Sequence, residues 1–167
     1  MLLRVELKLL PKLLLPCNEK SSNKQRLDNL FKKITAFSTD TDLQSHWARY
    51  LCILVLGFLE TSVRIIYREY AKSKATPQVA NFVEGKLEDF QNPKMEKILQ
   101  LTGLFSKEWA DELRQIESEL KDAVDSIANN RNQIAHGGSV GISYSQIKSY
   151  YDRAIEVIEL IENQCSK

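Results

Sequence analysis

The chain has 167 residues, 43% of them apolar, with six glycines, four prolines, and 23 lysines and arginines against 22 acids for a formal charge of +1. This is one domain's worth of chain, long enough to bury a core, and its leucine-, isoleucine-, lysine- and glutamate-rich composition points to helices. Bulk charge does not advertise a polyanion partner, so any contact with nucleic acid needs a local basic patch.

The chain opens MLLRVELKLLPKLLLP. Arg4, Glu6, Lys8 and Lys12 interrupt the apolar run, Pro11 breaks it and no small-residue cleavage site follows, so it does not read as an export signal. A membrane span would need about 20 apolar residues without such charges. Residues 1–20 read as a leucine-rich docking arm or upstream extension, and residues 21–167 as the helical domain. After a predicted loop at CNEKSSN, Leu27, Leu30, Phe31 and Ile34 mark a short amphipathic helix over about 24–37. STDTD (38–42) is a cap-rich break.

From Leu43 to about Lys74, apolar Trp47, Tyr50, Leu51, Leu54, Val55, Phe58, Leu59, Ile65 and Ile66, with Ser62, predict the long central helix. Pro77 ends it. A shorter helix follows over about 79–90, with Val79, Phe82, Val83, Leu87 and Phe90 inward. Gln91-Asn92-Pro93 turns the chain, and Met95, Ile98, Leu99 and Leu101 give another short helix, closed by Gly103. Ser106 caps a second long helix whose inward series is Trp109, Leu113, Ile116, Leu120, Val124 and Ile127. Gly137, Gly138 and Gly141 end that run, and Ser143 with Gln146 forms a capping box for a last helix with Ile147, Tyr150, Tyr151, Ile155, Ile158 and Ile161 inward. The expected fold is all-α: an antiparallel helical bundle of two long helix pairs with short inserted helices.

The three cysteines, Cys17, Cys52 and Cys165, are odd in number and lack CxxC spacing, which favours reduced thiols in a cytoplasm, with Cys52 in the core. No cluster of carboxylates or His/Cys pairs offers a metal site, and no cofactor is expected.

One decapeptide stands apart: NNRNQIAHGG, residues 129–138, containing one of only two histidines. Arg-x(4–6)-His is weak evidence alone, since two histidines and eight arginines give about 0.3 chance matches in a chain this long. A helix terminus explains His136-Gly137 equally well, through a left-handed glycine cap and a cationic ring that suits the dipole. However, Arg131 continues the inward series four residues after Ile127, and a cation on the buried edge of a helix is costly unless an anion meets it. Positions 131 and 136 lie about 500° apart on an ideal helix, so the helix must end near His136 for the ring to fold back towards the guanidinium.

RNQIAHGG, placed between two amphipathic helices, resembles the Arg-polar-x(3)-His motif of the HEPN superfamily. HWARYLCILVLGFLETSVRIIYREYA, FQNPKMEKILQLTGLF and GISYSQIKSYYDRAIEVIELIE resemble the flanking segments of bacterial RiboL-PSP-type and related HEPN proteins, over roughly residues 40–165. The resemblance implies a metal-independent endoribonuclease in which the ribose 2′-hydroxyl attacks the adjacent phosphate to leave a 2′,3′-cyclic phosphate. His136 would be general acid/base, helped by a histidine's ordinary pKa of about 6.5. Arg131 would stabilise the phosphorane oxygens, and Asn132 would orient the phosphate or the histidine. His46, beside Trp47, fits capping or packing better than catalysis. One catalytic histidine per chain therefore implies a homodimer with a composite site.

Some HEPN toxins carry a tyrosine two residues after the histidine, and nucleotidyl transfer silences them; here that position is Gly138. Regulation by that route is not expected, although an antitoxin or other regulatory partner protein fits a toxin or defence role. Arg64, Arg68 and Lys72 recur every fourth residue, as a solvated face or as an RNA phosphate track. Glu60 is positioned to support Arg64 or Arg131. The competing functional reading is a non-catalytic HEPN-type module that binds a nucleotide or a protein partner. RNA is the expected partner, and no membrane is.

Overall fold

The computed structural model describes the backbone of residues 10–37 and 41–166, and side chains at 19–35 and 42–166. Seven helices follow in order: α1 (Leu10–Phe37), α2 (Thr41–Lys74), α3 (Pro77–Leu87), α4 (Met95–Phe105), α5 (Lys107–Arg114), α6 (Ser118–Ala135) and α7 (Tyr144–Cys165), with no strand among the described residues. Four long helices, α1, α2, α6 and α7, make the bundle. Short helices are inserted between α2 and α6, as expected from the sequence, but there are three of them and not two. Residues 1–9 and most of the STDTD break lie outside the described residues, as do the side chains of residues 10–18, Cys17 among them.

Helix α2 is the axis, packed by α7, α6, α1 and α3. Ala48, Leu51, Cys52, Val55, Leu59, Val63, Ile66 and Tyr67 form its buried arc. Length and composition alone would let the 42–74 segment cross a membrane, but 61% of its most apolar window is buried inside the bundle, as in the core helix of a soluble fold. Helix α1 runs antiparallel to α7: Tyr144 Oη donates to the Phe31 carbonyl (2.9 Å), Tyr151 Oη donates to Asp28 (2.8 Å), and Lys20 pairs with Glu162. Phe31 stacks on Tyr151 with centroids 4.9 Å apart. Tyr151 is therefore core and Tyr150 its half-buried neighbour, rather than a stacking platform for bases.

Both predicted caps are in place. The Ser106 hydroxyl accepts from the Trp109 N–H, and Ser143 and Gln146 form the reciprocal box at the start of α7. Five expectations need correction. Helix α1 runs through CNEKSSN without a loop. Gly103 lies inside α4, which ends at Phe105. The second long helix is two, because Gln115, Ile116 and Glu117 separate α5 from α6 with no glycine or proline to signal the break. Trp47 and Tyr50 face outwards, since the buried arc of α2 is one residue out of phase with them. Val79 and Phe82 are exposed too: α3 turns Ala80 and Leu87 inwards, and Lys86 lies over the Phe82 ring.

Candidate active site

Helix α6 buries Leu120, Ala123, Val124, Ile127 and Ala128, and then its face turns polar. It ends in a Schellman motif. The Gly138 N–H donates to the Gln133 carbonyl (2.8 Å) and the Gly137 N–H to that of Ile134 (3.1 Å), with Gly137 at φ +74°. At Gly138 a β-carbon would lie 3.0 Å from the Gln133 carbonyl oxygen, a tight approach to backbone that favours glycine there. His136 is the C-cap residue, at φ −93° and ψ 13°, with its ring exposed. The helix-terminus reading of the decapeptide is thus correct as local structure.

Arg131 sits half-buried at the polar edge of this helix. Below it lies the Cys52 thiol, which donates to the Ile127 carbonyl (3.5 Å); burial pushes the thiol pKa up to about 11, against the pull of a hydrogen bond from the Arg131 backbone. Cys52 is therefore an inert core thiol. The Arg131 Nη1 donates to Asn132 Oδ1 at 3.4 Å, and among the described residues no carboxylate pairs with this guanidinium.

Asn132 has a second, shorter contact. The Asn92 side-chain NH2, from the turn between α3 and α4, donates to the same Oδ1 at 2.7 Å. The backbone N–H of Asn92 donates to Glu60 Oε2 (2.7 Å), and Glu60 Oε1 accepts from Arg64 Nη2 (3.0 Å). Glu60 thus supports Arg64, one of its two expected roles. It does not pair with Arg131, because both its oxygens are committed to Arg64 and to the Asn92 turn. Nearby, Asp125 accepts from the Met95 N–H (2.7 Å) and fixes the start of α4 against α6.

The basic stripe is neutralised. Arg68 faces Glu69 (3.0 Å), Glu19 (3.7 Å) and Glu84 (3.9 Å), while Lys72 faces Glu84 (3.3 Å) and Glu69 (4.0 Å). The phosphate-track reading of Arg64, Arg68 and Lys72 meets this obstacle: carboxylates from α1, α2 and α3 already hold the cations.

The structure therefore brings together Arg131, Asn132 and Asn92. His136 follows one turn after Asn132, and its ring makes no hydrogen bond to any described residue. His46 is exposed on α2. Sequence reading missed Asn92 and Arg49. Arg49 Nε donates to the Val140 carbonyl (3.1 Å), tying the glycine-rich turn after His136 to α2. The signal for Arg49 was present, since it is the only Lys, Arg, Asp or Glu between Leu43 and Leu59. Among the described residues no group of three or more His, Cys, Asp or Glu side chains is arranged to hold a metal ion.

An arginine and an amide side by side, with donors unclaimed by acids, can bind a phosphate oxygen. A histidine at an exposed helix end can exchange protons with a bound molecule. Searches of the curated proteins and of the solved structures return no significant match. The family model RiboL-PSP-HEPN matches residues 18–167, from within α1 to the end of the chain and across the whole site. The chain therefore belongs to the RiboL-PSP-HEPN family, within a superfamily of helical ribonuclease and nucleotide-binding domains.

Proposed function

We propose that the protein is a metal-independent endoribonuclease, acting as a toxin or defence effector. The observation that carries this reading is Arg131 beside Asn132 with no carboxylate partner among the described residues, one helical turn before an exposed His136. In the proposed reaction the ribose 2′-oxygen attacks the adjacent phosphorus and gives up its proton to a histidine. The 5′-oxygen of the next nucleotide leaves and takes a proton, leaving a 2′,3′-cyclic phosphate and a 5′-hydroxyl. Arg131 and the Asn132 NH2 donate to the phosphorane oxygens, where charge builds.

One His136 cannot be base and acid at the same moment, so the second comes from another copy of the chain. What supports a homodimer is an exposed stripe on α2. Tyr50 is 47% exposed, Ile53 41% and Trp47 36%, and Gly57, where a side chain would meet open space, continues the same face. Arg49 is the only charged side chain within this 47–57 stretch, and it bonds to Val140. A neutral apolar face beside the motif turn suits a second copy of itself.

A specific observation favours the alternative, a non-catalytic nucleotide-binding module. The mutually bonded groups are an arginine and two amides, which bind an anion without serving as general acid or base, and the His136 ring stands apart from them. Cleavage of a single-stranded RNA in excess EDTA separates the two readings. The ribonuclease predicts cyclic-phosphate ends from wild type and none from His136→Ala at unchanged thermal stability. Equal cleavage by both proteins, or saturable nucleotide binding without turnover, would reject it.

A further inference from the structure

The turn Gln91-Asn92-Pro93 carries three unusual features at one residue. Asn92 has φ +50°, the only positive φ at a non-glycine residue among those described. Its backbone N–H and its side-chain NH2 both make 2.7 Å bonds, to Glu60 of α2 and Asn132 of α6. Its Oδ1 is buried with no protein donor. Asparagine tolerates the left-handed region better than other side-chain-bearing residues, but a buried acceptor without a partner is unfavourable. A buried orphan of this kind calls for an explanation, and a functional role is one.

The polarity of the cluster explains the orphan. A guanidinium has only donors, so Asn132 must turn its oxygen towards Arg131. That oxygen also faces Asn92, so Asn92 must present its NH2, and its own oxygen is left pointing into the protein. The Asn132 NH2 is then the group without a protein partner. It is absent from the buried unpartnered atoms, which among the described residues are Asn92 Oδ1 and Gln164 Oε1 alone, so it reaches solvent.

We propose that Asn92 is a positioning residue for an oxyanion site: by holding the Asn132 oxygen inwards, it makes Asn132 and Arg131 present donors only to a phosphate. Glu60 anchors the Asn92 turn, and Arg64 holds Glu60. The turn between α3 and α4, outside the sequence motif, thereby sets the polarity of the motif. This inference rests on the phosphate-binding reading of Arg131 and Asn132.

The test uses Asn92→Gly and Asn92→Asp, both of which keep the left-handed turn and the bond to Glu60. Glycine removes the side chain. Aspartate offers only acceptors and pulls the Asn132 NH2 inwards, leaving its oxygen towards the phosphate. We expect kcat for RNA cleavage to fall about ten-fold in N92G and about a hundred-fold in N92D, with KM and the melting temperature nearly unchanged. In an Asn132→Ala background N92G should cost less than about two-fold, because Asn92 acts through Asn132. Wild-type rates in both variants, or an undiminished N92G effect in that background, would overturn the proposal.

A readout independent of catalysis is hydrogen exchange of the Asn92 side-chain amide, slowed in the wild type and released in N132A. Fast exchange in the wild type overturns the positioning role by itself. Absence of RNA cleavage by the wild type overturns the ribonuclease reading and leaves the exchange result to decide the role of Asn92.

Discussion

Arg68 and Arg131 carry the same guanidinium on two helices of one bundle, in opposite company. Around Arg68 stand Glu69, Glu19 and Glu84, and the neighbouring Lys72 shares two of them. Beside the Arg131 guanidinium stands an amide oxygen, with no acid among the described residues. The first charge is satisfied within the protein, whereas the second is available to an external anion. A cation's value as a binding group is therefore read from its counter-ions and not from its place in a basic stripe.

The contrast breaks most sharply at Arg131. Arg131→Ala should lower RNA cleavage by about 10³-fold, the loss expected for a group that stabilises developing phosphorane charge. Its melting temperature should stay near that of wild type, because no internal carboxylate is orphaned. A large loss of stability would show that Arg131 is structural and erase the difference from Arg68.

The next effect concerns the α2 face. Tyr50→Glu places a carboxylate in the apolar stripe and should raise a dimer dissociation constant by about 100-fold, which sedimentation would report as a shift to monomer. Cleavage should fall with it. A fully active monomer would remove the need for a composite site.

Gly137→Ala tests the helix end that carries His136. At φ +74° an alanine is strained, so the variant should lose about 1 kcal/mol of stability in denaturant titration. Unchanged stability would mean that the turn relaxes, and that His136 is not held by it.

Asp28, on α1 against α7, gives a pH signature. Burial raises its pKa, yet hydrogen bonds from Lys24 and Tyr151 outweigh that and hold the carboxyl below its ordinary value. A lowered folded-state pKa contributes stability that is present above the ordinary value of about 3.9 and lost as pH falls through the folded one. Asp28→Asn should therefore melt a few degrees below wild type near neutrality, with the gap closing below about pH 4. A gap that persists in acid would assign the effect to packing.

Arg68→Ala should have the smallest effect. Partly exposed ion pairs are worth under about 1 kcal/mol, and the salt dependence of RNA binding should be unchanged. A clear drop in that dependence would restore the phosphate track.

What could be read along the chain was local. The capping box at Ser143 and Gln146, the Ser106 cap, the Gly137 terminus and the length of α2 all depend on residues within a few positions of one another. Arg131, Asn132 and His136 were legible for the same reason: their spacing lies within one helix end. The break at Gln115–Glu117 was not, because no glycine or proline marks it and the apolar period runs on through it. The phase of α2 was also hidden, since a helix apolar on most sides permits several inward arcs, and only packing against α6 and α7 turned Trp47 and Tyr50 outwards.

The sequence by itself determined the all-α class, the order of the long helices and the motif, through periodicity and capping. Tertiary structure alone decided which charges are free. Glu19 and Glu84 reach Arg68 from 49 and 16 residues away, and Asn92 reaches Asn132 across 40. A counter-ion or an amide partner acts over a few ångströms of space whatever its distance along the chain, so only the folded bundle could name it.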